Sequence, residues 1–148
     1  MEDDLMYIKN LKVEELIDIV SNIWGFEEAS EALLQLEKEN PQKALELGIE
    51  ILENDKGDDY FQATVWDIIF NLDPVTVINS LKKRKEKLGK VLLYDVLKEL
   101  NSGFYLKEIR DLPEAVINRI INDCNDLPQN LDDELSAEFR EFTEKINR

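Results

Sequence analysis

Carboxylates are the one group with catalytic potential that this chain holds in quantity: 33 Asp and Glu against 18 Lys and Arg, and no histidine. Paired carboxylates can divide acid and base roles when burial separates their pKa values. Most of these acids, however, fall in turns or on the polar faces of helical patterns, where they stay solvated and ionised. Without histidine, Ser-His-Asp triads, imidazole general bases and histidine metal sites are excluded. The turn Asn54-Asp55-Lys56-Gly57-Asp58-Asp59 invites a calcium reading. It fails on spacing, because an EF-hand loop needs ligands at positions 1, 3, 5, 7, 9 and 12 with glycine at position 6. There is no Walker motif, Gly-x-Ser-x-Gly elbow or Cys-x-x-Cys pair. The single cysteine, Cys124, follows the apolar stripe Ile117, Ile120 and Ile121 and reads as a packed thiol without an activating neighbour. The expectation is a chain with no enzymatic activity, cofactor or metal.

The elements that must position these acids are helical. Val13, Leu16, Ile17 and Val20 give the i, i+3, i+4, i+7 spacing of a first amphipathic helix ending near Trp24-Gly25. A second, from Glu28 to Glu39, turns Ala29, Ala32, Leu33 and Leu36 inward. Asn40-Pro41 stops it and starts a third, since Asn caps and Pro is tolerated at the first helical position. The third buries Ala44, Leu45, Gly48, Ile49 and Leu52 and leaves Glu46, Glu50 and Glu53 on the polar side. A fourth runs from Tyr60 to Asn71. Asp73-Pro74 repeats the cap-and-proline device, and a fifth helix is predicted to continue through Lys82-Lys83-Arg84-Lys85-Glu86-Lys87 as a solvated, dipole-countering end. Gly89 precedes a sixth with Leu92, Leu93, Val96, Leu97 and Leu100. Pro113 introduces a seventh. After Leu127-Pro128 the last carries Leu131, Leu135, Phe139, Phe142 and Ile146. Trp24, Trp66, Phe70 and Tyr94 are expected in the core, and no stretch alternates long enough to predict a strand.

Two helix pairs look like copies of one unit. A shift of 33 residues lays Pro41 on Pro74, Leu33 on Trp66, Leu36 on Ile69 and Leu45 on Ile78. A helix, a cap-proline turn and a second helix recurring at roughly 30–45 residues is the mark of an α-solenoid. The predicted architecture is a single all-α domain over residues 1–148, a HEAT-like α-solenoid of antiparallel helix pairs with about eight helices; an up-down helical bundle is the alternative.

Charge is uneven. Residues 1–73 hold 5 basic against 19 acidic groups, and residues 74–100 hold 7 against 3. With a formal net charge of −15, nucleic acid is an unsuitable partner, because phosphate binding needs cations that release counterions. The acidic start Met1-Glu2-Asp3-Asp4 is the reverse of a signal peptide, and apolar runs such as Val91-Leu92-Leu93-Tyr94 fall far short of the ~20 residues that cross a bilayer. A cytoplasmic protein with no membrane partner is expected.

The paired-helix segments Ala29–Leu52 and Gln62–Leu81, their Asn40-Pro41 and Asp73-Pro74 turns, and the acidic balance together resemble bacterial immunity proteins of the polymorphic-toxin type, those of contact-dependent growth inhibition above all. The resemblance covers about the first two thirds of the chain in pattern, without a motif that transfers residue by residue. It implies binding to a cognate toxin domain, often a basic nuclease, and occlusion of its active site or substrate groove. Physically, a rigid acidic surface would occupy a cationic groove in place of phosphates. The residues expected at such a contact are Glu46, Glu50 and Glu53 on the third helix, with Asp55, Asp58, Asp59 and Asp67 near them in the chain. The alternative function is a HEAT-like scaffold or adaptor for another cellular protein; a carboxylate-dependent enzyme ranks third.

Overall fold

Two proline turns set the rhythm of the fold. The Asn40 side chain accepts a hydrogen bond from the Lys43 backbone N–H at 3.2 Å, and Asp73 does the same for Thr76 at 3.2 Å while also holding its hydroxyl at 2.7 Å. Each satisfies a donor that a helix start leaves orphaned, and the following proline has no N–H to lose. The computed structural model describes residues 2–103, 111–127 and 133–147, with side chains from Met6 onward. Among them are eight α-helices: α1 (Val13–Asn22), α2 (Phe26–Glu39), α3 (Pro41–Glu53), α4 (Asp59–Ile69), α5 (Pro74–Lys83), α6 (Lys90–Ser102), α7 (Glu114–Asn125) and α8 (Asp133–Ile146). Two 3-10 segments, Glu2–Asn10 and Phe70–Leu72, complete an all-α fold with no strand among the described residues. The expected features at Pro128, Leu131 and most of the connection between Gly103 and Pro113 lie outside the described residues.

Packing follows a simple order. α2 lies against α1, α3 and α4; α4 lies against α3 and α6; α6 lies against α8. On the other side α3 packs on α5 and α5 on α7. Even-numbered helices thus contact one another, and so do odd-numbered ones. The apolar faces named from periodicity meet in one continuous core, with Leu33, Leu36, Trp66, Ile69, Leu81, Leu92 and Leu97 fully buried. Each such side chain contributes roughly 1.5–3 kcal/mol through removal from water. Ile19, Leu47 and Ile51 join the core as well, so α1 and α3 bury wider faces than their primary stripes. Where α3 crosses α4, Gly48 sits so close that a Cβ there would meet Ile69 side-chain carbons at 2.7 and 2.8 Å. No helix among the described residues is long and apolar enough to cross a membrane.

Two expectations are corrected. Trp24 is not core; it is 61% exposed. α1 stops at Asn22, and Ile23 enters the left-handed region at φ 45°, with Schellman-type bonds from the Ile23 and Trp24 amides back to Val20 and Ile19. That turn throws Trp24 out of the helical phase. The fifth helix is also shorter than its sequence suggests. It ends at Lys83, because Arg84 leaves the helix (φ −66°, ψ 131°) and buries its side chain.

Candidate functional site

The loop that ends α3 and starts α4 decides where the acidic side chains go. Asp55 lies at φ 54° and Gly57 at φ 79°, so the chain reverses tightly and splits its carboxylates between two directions. Asp55 turns inward and accepts from the Arg84 guanidinium at 2.8 Å and from Gln62 Nε2 at 2.8 Å. Arg84 itself is 2% exposed. Its five N–H donors reach Asp55, Gln62 Oε1 (2.9 Å) and the carbonyls of Leu52 (2.6 Å), Glu86 (2.8 Å) and Lys87 (3.1 Å). That uses the full donor capacity of a guanidinium. Arg119 of α7 clamps the same loop through the carbonyls of Arg84 and Glu86.

Asp58 and Asp59 also serve the fold. Asp58 caps α4 through the Phe61 amide at 2.8 Å. Asp59 reaches across to the start of α6 and accepts from the Val91 and Leu92 amides at 2.7 and 2.9 Å. Gly89 is small for that reason: a Cβ would lie 2.4 Å from the Asp59 carboxyl carbon. Glu46 and Glu50 remain exposed on α3, paired with Lys43 at 3.6 Å and Lys56 at 2.7 Å. Such exposed pairs are worth about 0–1 kcal/mol, so both carboxylates stay available to a partner. Glu53 lies beside Lys83 and Lys85 in a mixed-charge depression. Of the seven acids expected at a contact, Asp55, Asp58 and Asp59 therefore already have intramolecular duties, and Glu46 and Glu50 face outward.

Asp67 is different again. On α4 it hydrogen bonds to Asp95 of α6, with Glu99 and Lys98 alongside. Burial, then the bond to Asp95 and the charges of Asp95 and Glu99, push its carboxyl up from 3.8 to about 7, and Lys98 offsets part of this. A half-buried carboxyl beside other negative charges favours its neutral form. Asp67 therefore carries less negative charge near neutral pH than its sequence suggests. A carboxyl so placed can take up or release a proton near neutrality.

The surface also holds a feature that periodicity alone missed. Trp24, Phe26 and Tyr60 are 61%, 44% and 71% exposed. Phe26, at the start of α2, stacks on Phe61 of α4 with ring centres 5.1 Å apart and planes inclined by 23°. With Tyr60 they line an open groove of about 360 Å³ whose other lining residues include Glu27, Glu31 and Asp58. Exposed Trp and Tyr are the residue types that most often anchor protein interfaces. The signal in the sequence was an aromatic beside acids at two helix starts, Trp24-Gly25-Phe26-Glu27-Glu28 and Asp58-Asp59-Tyr60.

Among the described residues, no cluster of three or more metal-ligating side chains is present. Cys124 is buried, and burial, then the charge of Asp123, pushes its thiol up to about 12, so it stays protonated and unreactive at neutral pH. Comparisons with protein-family models, curated proteins and solved structures give no match for this chain.

Proposed function

We propose that this protein is a binding module that neutralises a basic protein domain, in the manner of an immunity protein acting on a cognate toxin in the cytoplasm. The observation that carries the reading is the groove lined by the exposed Phe26 and Tyr60 together with Glu27, Glu31 and Asp58, in the strongly acidic half of the chain that also exposes Trp24. Aromatic anchors supply contact energy, and the one-signed field steers a cationic partner toward them. The alternating helix contacts support a HEAT-like solenoid, a scaffold that presents a continuous face. Glu46 and Glu50 extend the negative surface along α3, whereas Asp55 and Asp59 act through the fold.

Co-expression with the product of the adjacent gene is the direct test. A neutralising protein restores growth to cells making that product and binds it in solution. Association then slows about tenfold from low to high salt, and Glu46→Lys with Glu50→Lys slows it further. Failure to bind or rescue removes the toxin reading; capture of a different cellular protein by the same face supports an adaptor.

A further inference from the structure

The groove between α2 and α4 has a chemistry narrower than general stickiness. Three of its lining residues are aromatic, with Phe61 almost fully buried beneath Phe26 and Tyr60 largely exposed. Around them are the carboxylates of Glu27, Glu31 and Asp58. Two helices start here, and each contributes about +0.5 charge at its N-terminus, but three carboxylates outweigh that sum. Asp58 gives one oxygen to the Phe61 amide and keeps the other. No hydrogen bond or ion pair occupies Glu27 or Glu31 among the described residues. The three acids repel an anion and attract a cation, and the aromatic rings offer a flat apolar face. A cation with a flat face meets both requirements.

We propose, on the basis of the binding function above, that this groove receives a single arginine side chain of the partner protein, its guanidinium lying on the aromatic rings and donating to the carboxylates of Glu27, Glu31 and Asp58. Guanidinium stacks on aromatic faces and forks onto carboxylates, which an ammonium on a flexible stem does less well. The same loop already performs the inward version of this recognition, where Asp55 and Gln62 hold Arg84. Outside, aromatic faces take the place of the carbonyls.

The test uses the full chain, labelled with nitrogen-15, and three capped pentapeptides with arginine, citrulline or lysine between glycines. Citrulline keeps the shape of arginine and removes its charge. The arginine peptide should give saturable shifts at the amides of Glu27, Glu31, Tyr60 and Phe61. The citrulline peptide should give none at a concentration about tenfold higher, and lysine should bind several-fold more weakly. Tyr60→Ala should weaken arginine binding about fivefold and Glu31→Gln about threefold, with the far-UV spectrum and melting temperature unchanged. Equal binding of citrulline, shifts that map away from α2 and α4, or affinity unaffected by both variants would overturn the inference. Arginine binding without growth rescue keeps this site and removes the toxin; rescue and affinity for the cognate partner left intact by Tyr60→Ala overturn the site and keep the function.

Discussion

Within ten residues the chain builds two environments for a cation, one sealed and one open. At the sealed one, Asp55, Gln62 and three backbone carbonyls consume every donor of Arg84, and the guanidinium is almost completely out of water. At the open one, Tyr60 and Phe26 face solvent over the buried Phe61 ring, with Glu27, Glu31 and Asp58 beside them. Both draw on carboxylates from the same stretch of chain, Asp55 at one and Asp58 at the other. The difference is whether the partners of the acids lie within the chain. Asp55 and Asp59 have found a cation or amides and hold the fold; Glu27 and Glu31, beside an exposed aromatic face, remain for a second protein, and Asp58 serves both with its two oxygens. Counting carboxylates along the sequence cannot separate these two uses.

Three substitutions sharpen that contrast. The largest effect belongs to the sealed site: Arg84→Ala removes a buried cation and leaves Gln62 Oε1 and three backbone carbonyls without its donors and Asp55 without its charge partner, at a cost of about 3–5 kcal/mol. Urea unfolding should show the midpoint falling accordingly, and Arg84→Lys should recover little, since an ammonium has three donors for five acceptors. A loss under 1 kcal/mol would mean that the junction does not organise the loop. Next comes Asp59→Ala, which uncaps α6 by removing two accepted bonds and should cost about 1–2 kcal/mol by the same measurement. If Asp59 were only a surface charge, the variant would unfold with the wild type.

The third effect is a change of slope. The carboxyl of Asp67 is pushed up to about 7 in the folded state, from an ordinary value of 3.8. Between those values the folded chain binds the proton and the unfolded chain has released it, so stability falls as pH rises through the window and levels off above it. Asp67→Asn should flatten this part of the profile and gain on the wild type most above pH 7. Thermal unfolding at pH 5 and pH 8 checks it; an identical pH difference in both proteins would show that the fold does not hold Asp67 protonated.

The all-α class and most helix bounds were legible in the sequence. The stripes on α2 and α6 read directly as core, because a 3.6-residue period needs only local geometry to place side chains on one face. The Asn40-Pro41 and Asp73-Pro74 starts were equally local, since a cap reaches only three residues along the chain. Less was visible at the site. Arg84 stood in a run of cations, and nothing in Lys82-Lys83-Arg84-Lys85 says that one of them ends the helix and enters the interior; the hint was only that it is the arginine, with the planar fork suited to burial. Trp24 read as core because its large apolar surface normally is, and the left-handed turn at Ile23 overrode that tendency.

The amino-acid order determined, through local spacing and capping, that this chain is helical, where most helices begin, and that its first half is acidic. Tertiary structure alone decided which carboxylates are spent inside and which face outward. Asp55 reaches Arg84 and Asp59 reaches α6 across about thirty residues of chain. Phe26 likewise meets Phe61 only because α2 packs on α4. Such pairings depend on how helices lie against one another, a geometry that side-chain periodicity within one helix does not specify.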